Sequence, residues 1–149
     1  MTARNPWLVV AGWLSLAASL LHIGCIIGGP NWYRFFGAGE QMAQAAESGK
    51  IYPALVTFGI AVVLAIWAAY AFAGAGLIRR LPLMRTALVA ITAVYLLRGL
   101  MLIPLLALRP DAVDSFAIWS SLIVLGYGLV HLIGTWRAWP TLSRKEVLV

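Results

Sequence analysis

Apolar positions in this chain gather into four nearly unbroken blocks, Trp7–Gly29, Ile51–Leu77, Thr86–Leu108 and Phe116–Trp136. A hydrocarbon layer about 30 Å thick is crossed by about 20 helical residues, so each block is long enough to span one. A helix with one wet face would show a narrower apolar stripe. The pattern predicts an all-α integral membrane protein, with residues 1–149 forming a single four-span domain.

The connections set the order of the spans. "RRLPLMR", residues 79–85, and "RPDAVDS", residues 109–115, are short turns, with Asp114 or Ser115 placed to cap the fourth helix. Short turns join antiparallel neighbours, which predicts an up-down four-helix bundle. Pro104 lacks an amide proton and should kink the outer part of the third helix. The connection at residues 30–50, "PNWYRFFGAGEQMAQAAESGK", is far longer than a turn requires. Its opening aromatics favour a headgroup region, and "AGEQMAQAAESG" is a good helix former between glycines. An interfacial outer loop or helix is expected there, as an anchor or as a functional cap.

Composition agrees with the pattern: the chain is 62% hydrophobic and 11% charged, where soluble proteins carry about a quarter charged residues. The net charge of +6 changes the picture only through its placement. If the helices alternate, Arg4, Arg79, Arg80, Arg85, Arg137, Arg144 and Lys145 flank one side. Arg34, Lys50 and Arg109 share the other with Glu40, Glu47, Asp111 and Asp114. That asymmetry predicts a multi-pass protein of a bacterial inner membrane with both termini cytoplasmic. The basic excess then serves contact with anionic membrane lipids, and no nucleic-acid partner is expected. The first apolar run continues to Ile27, longer than a cleaved signal segment, so a retained first span is expected.

Several chemistries are narrowed at once. A single cysteine, Cys25, allows no internal disulfide or dithiol cycle and is expected to be a packing residue. "GAGEQM" and "GAGLIR" complete neither G-x-G-x-x-G nor a P-loop; Gly74 and Gly76 are expected to permit close helix packing. One cysteine and two histidines do not fill a four-ligand zinc site. His22 and His131 are imidazoles on facing helices, but their depths differ by roughly 10–15 Å at helical rise. A haem shared between them is therefore disfavoured, and no cofactor is predicted.

Polar residues recur at helical spacing within the spans. Gly12, Ser15, Ser19 and His22 share one face of the first helix, Ser120, Tyr127, His131 and Thr135 one face of the fourth. Tyr95 and Arg98 lie one turn apart on the third. Arg98 is the exceptional residue, because an ionised group turned to lipid costs about 3 kcal/mol or more. By depth its company is Ser19, His22, Tyr95, Thr57 and Tyr127, with Glu40 reachable only if the outer loop folds inward. No span carries a carboxylate. Three answers follow: a network of carbonyls and hydroxyls, a lock with Glu40 or Glu47, or a fixed charge awaiting an anionic ligand.

The layout of spans, with "YRFFGAGE" after the first and "AFAGAGLIRRLPLMR" after the second, resembles small bacterial inner-membrane proteins and the DoxX-like group of four-helix proteins. The resemblance covers most of the chain in layout and implies a four-helix membrane fold. Some DoxX-like proteins are associated with quinone-linked sulfur oxidation, though no catalytic pattern carries over to residues here.

The leading expectation is binding or transport of a small anionic or amphipathic molecule. Arg98 would hold its acid group in an outward-facing polar cavity, with His22, Tyr127, Tyr95, Ser19 and Glu40 around it. Trp32, Tyr33, Phe35 and Phe36 would gate access from the outer side. The alternatives are a non-catalytic accessory subunit of a membrane complex, and an enzyme acting on a lipid or quinone; the partners expected are membrane lipids, a second copy of the chain or another membrane protein.

Overall fold

The computed structural model describes residues 4–142, and among these every regular element is a helix. The order is α1 (Pro6–Gly28), α2 (Pro30–Phe35), α3 (Glu40–Glu47), α4 (Tyr52–Gly74), α5 (Met84–Leu100), α6 (Leu102–Leu108), a 3-10 turn at Pro110–Ala112, and α7 (Ser115–Leu142). Arg144 and Lys145 lie outside the described residues. Four stretches are long and apolar enough to cross a membrane: α1, α4, α5 continued by α6, and α7.

Each boundary has a local cause. Asn5 precedes Pro6 and accepts the amides of Trp7 at 3.1 Å and Leu8 at 3.4 Å, closing the first turn of α1. Its Nδ2 donates to the Gly134 carbonyl at 2.8 Å, so the same side chain ties α1 to α7. Asp114 Oδ1 accepts the Ala117 amide at 2.7 Å and caps α7. The third span breaks at Met101: Pro104 supplies no amide to the Leu100 carbonyl, four residues back. The fourth helix runs to Leu142, six residues beyond the expected Trp136, because Arg137 ends the apolar run without ending the helix.

The long helices pack chiefly as two antiparallel pairs, α1 with α4 and α5 with α7, joined mostly by α1 against α7. Small residues set these contacts. Gly12 faces the Phe72 ring, Gly99 faces the backbone of Leu125, Gly128 faces Leu96, and Gly134 faces Leu8. Gly74 performs its expected packing role, with Leu8 and Leu88 filling its space. Gly76 does something else: it takes φ +77° and ends α4, where Leu77 N–H donates to Phe72 O and Gly76 N–H to Ala73 O. Nothing lies within 4 Å of where its side chain would be.

Outside these contacts the surface is apolar. Trp13, Leu20, Ile27, Leu55, Leu97, Ile103, Trp119 and Trp136 are exposed, and in the most apolar part of each of the four membrane-length stretches fewer than a third of the positions are buried.

Candidate functional site

The expected outer helix is a two-helix cap made of α2 and α3. Pro30 starts α2 directly after Gly29, and Gly37, at φ +67°, turns the chain back towards α3. Tyr33 and Ala43 are buried against Cys25, which is indeed a packing residue on α1. Trp32 lies over Gly24 and Gly28, where a side chain on Gly28 would overlap the indole. Gly37 touches Phe116 at the start of α7, so the cap reaches from α1 across to the fourth span.

Of the four aromatics expected to gate access, Tyr33 is sealed inside the cap and Phe36 is half-buried. Trp32 and Phe35 are exposed, and Phe35 and Phe36 meet edge to face at 4.9 Å.

Glu40 does not reach Arg98. Arg34 takes both of its oxygens, Nε to Oε2 at 2.9 Å and Nη2 to Oε1 at 2.8 Å, and its Nη1 donates to Glu47 Oε1 at 2.8 Å. One guanidinium thus clasps α2 to α3. Its hydrogen bonds hold both carboxyls below the ordinary value of 4.5. A depressed carboxyl supports the folded state above that ordinary value and gives up its contribution as pH falls below it. Lowering the pH from 7 to 3 should therefore raise amide exchange in α3, after correction for intrinsic rates, while α1 and α7 stay protected. Arg34→Gln should give the acid-state exchange already at pH 7. Equal exchange in α3 at both pH values would contradict the clasp.

The polar groups within the long helices sort into two levels, an outer one nearer the cap and an inner one further from it. At the inner level, Ser15 and Tyr95 share a hydrogen bond at 3.0 Å between their hydroxyls, both buried. The Tyr95 ring stands edge-on to Trp67 at 5.0 Å and Tyr127 at 5.7 Å, and lies 5.0 Å from the His131 ring. His131 Nδ1 sits 2.9 Å from the Tyr127 carbonyl, which only accepts, so Nδ1 donates and Nε2 takes no part in that bond. That Nε2 is buried and has no partner. Ser19 donates to the Ala61 carbonyl at 2.7 Å, tying α1 to α4.

At the outer level, Arg98 Nη1 donates to Ser121 Oγ at 3.1 Å. Ser121 is buried, whereas Arg98 is exposed. Among the described residues no carboxylate lies within ion-pair distance of this guanidinium. Its hydrogen bond goes to none of Ser19, His22, Tyr95, Thr57 or Tyr127. Ser19 and Tyr95 use their hydroxyls between helices at the inner level, and Thr57 is buried on α4.

His22 is half-buried, its Nδ1 donating to the Ala18 carbonyl at 2.7 Å. The Ser15–Tyr95 bond reaches from α1 across to α5, two helices that do not otherwise pack on each other, and puts Arg98 about level with Ala18 and His22 about 6 Å further towards the cap at helical rise. Ser15 also marks the level of His131 through Tyr95, so the two imidazoles stand about 10 Å apart along the helices. Among the described residues no three His, Cys, Asp or Glu side chains gather to hold a metal ion.

Ser121 is the residue that the polar stripe missed. The buried face of α7 is Ser121, Gly128, His131, Gly134, Thr135, Ala138 and Leu142. Counting glycine and alanine with the polar residues would have found it; counting only polar residues selected Ser120, which bonds back to Ala117 O at 3.4 Å. Set against known proteins, this chain matches no family model, no curated protein and no solved structure.

Proposed function

We propose that the four long helices cross a bacterial inner membrane as an up-down bundle, and that the protein binds or transports a small anionic or amphipathic molecule with its acid group on Arg98. The membrane reading is supported by the exposed apolar belt, which in water would be an aggregating surface. The orientation, with both termini cytoplasmic, is supported by the charges at the two ends. Arg79, Arg80, Arg85 and Arg137 crowd one end, while at the other Arg34 is neutralised by Glu40 and Glu47, and Arg109 sits 3.5 Å from Asp111.

The observation that carries the ligand reading is the state of Arg98. It is exposed, its hydrogen bond goes to a neutral hydroxyl, and both cap carboxylates expected as its neutralising partners are taken by Arg34. A permanent cation at membrane depth with only a neutral partner favours an incoming anion. His22 and Tyr127 are the groups proposed to orient that molecule, with Trp32 and Phe35 at its point of access. Its charged part, Arg98 with Ser121, is open at the α5–α7 flank, and His22 stands on α1.

Decanoate tests this reading, with decanol as the neutral control of equal chain length. In detergent, wild type should bind decanoate about tenfold or more tightly than decanol, the scale of one charge-assisted hydrogen bond. Arg98→Met should keep its helical spectrum and lose that preference. Unfolding of Arg98→Met, or equal decanoate binding by variant and wild type, would make Arg98 a structural residue.

A further inference from the structure

A second feature lies at the basic end, on the outer flank of the α5–α7 pair. There Val89 and Ala93 of α5 face Leu132 and Trp136 of α7 across a groove of about 330 Å³. That volume is at the low end of ligand clefts, about 300–1,000 Å³, enough for part of an extended chain. All four of these residues are exposed, so the groove opens sideways, away from the other helix pair.

Two polar features distinguish it from an ordinary lipid-facing seam. The first is Thr135, which lines the groove, is only 5% exposed and has no partner for its hydroxyl. A helical threonine ordinarily bonds back to its own helix. Thr92, across the groove, does so, with Oγ1 2.7 Å from the Leu88 carbonyl. Thr135 departs from that habit, which leaves its hydroxyl unpaired beside the groove.

The second is Arg85 at the basic mouth. Its guanidinium lies 4.4 Å from the centre of the Trp139 ring, which forms the end of the groove, and its Nη2 donates to the Trp139 carbonyl at 3.3 Å. Its Nε is buried without a partner, and among the described residues no carboxylate is within ion-pair distance. A guanidinium so placed keeps donors for a phosphate, the anion whose geometry it matches best.

We infer that this groove binds one anionic glycerophospholipid, its phosphate on Arg85, an ester carbonyl at Thr135 and an acyl chain between Ala93 and Leu132. The spacing agrees with that occupant. Trp139 and Thr135 are four residues apart, about 6 Å along the helix axis, comparable to the separation of phosphate and ester within a glycerolipid. A purely apolar partner helix would satisfy neither Arg85 nor Thr135. The inference rests on the membrane reading above and concerns the opposite end of the molecule from Arg98.

The test is lipid retention by the full chain, purified from mixed phosphatidylglycerol–phosphatidylcholine nanodiscs into mild detergent and weighed by native mass spectrometry. Wild type should keep one phosphatidylglycerol per chain, about tenfold over phosphatidylcholine. Arg85→Gln should remove the preference, whereas Arg109→Gln, an equal loss of charge at the cap end, should not. Ala93→Phe fills the groove from an exposed position and should remove the retained lipid altogether. Equal retention of the two lipids by wild type, or retention unchanged in both Arg85→Gln and Ala93→Phe, overturns the inference. So does a lipid-free dimer that Ala93→Phe dissociates, since a second copy would then occupy the groove. Recovery of the chain as a soluble protein without detergent would overturn the membrane reading too, whereas membrane recovery without retained phosphatidylglycerol overturns this inference alone.

Discussion

Gly99→Val should separate α5 from α7 and cost about 3 kcal/mol or more, beyond the usual upper range for overpacking. A first side-chain carbon on Gly99 would lie 2.7 Å from Leu125 Cα and 2.8 Å from its amide nitrogen. Those are backbone atoms of the opposing helix, so no rotamer change relieves the clash. One turn along the same seam, Gly128 meets the amide nitrogen of Leu96 at 2.9 Å by the same construction. The helix pair therefore has to open along its length. Because Arg98 and Ser121 bridge the same seam, the preference for decanoate should fall with the stability. The controls are Gly59→Val and Gly126→Val, where nothing stands within 4 Å. Both replace a poor helix former at an open position and should change stability by about 0.5 kcal/mol or less. Reversible unfolding in mixed detergent measures all three. A Gly99→Val variant as stable as Gly126→Val would mean that the α5–α7 contact is not as described.

Why the seam was hard to foresee lies in the nature of the helices. Span positions followed from hydropathy because apolar side chains surround each helix, but that uniformity removes the stripe that tells a soluble helix which way to face. Only small and polar residues carry the information. On α1 they carried it well, for Ser15 and Ser19 are both buried and both bond to another helix. On α7 an offset of one residue, about 100° of rotation, put Ser120 in place of Ser121.

Local punctuation was read more securely than tertiary partnership. The cap of α7 at Asp114 and the break before Pro104 follow from donors and acceptors within a few residues. The fate of Glu40 was also a local matter. Arg34 stands six residues before it across the Gly37 turn, so its effective concentration near Glu40 and Glu47 far exceeds that of a cation on another helix. The one of the three answers that locked Arg98 to those carboxylates overlooked the nearer competitor, and that competitor leaves Arg98 with a neutral partner.

Leu8→Ala is the complementary change, a loss of volume where Gly99→Val is an excess. Leu8 is fully buried, one δ-carbon against Gly74 on α4 and the other against Gly134 on α7. It is the side chain through which the two helix pairs grip one another near the basic end. In water such a truncation costs about 2–5 kcal/mol, part from transfer and part from the cavity. On the proposed membrane reading the separated helix keeps its leucine in hydrocarbon, so the transfer part drops out and lost packing remains. The expected cost is then about 2 kcal/mol, the foot of that range. Gly74→Ala supplies the internal check. In wild type its added methyl would lie 2.8 Å from Leu8 Cδ1 and 3.0 Å from Leu88 Cδ1, so it should destabilise. With Leu8 cut to alanine the nearer obstacle is gone and the methyl enters the vacated space, so the same substitution should stabilise. The double-mutant cycle should therefore show a favourable coupling of about 1 kcal/mol between residues 8 and 74. Strict additivity would mean that Leu8 does not fill the Gly74 notch, and the packing of α1 on α4 at the basic end would need another arrangement.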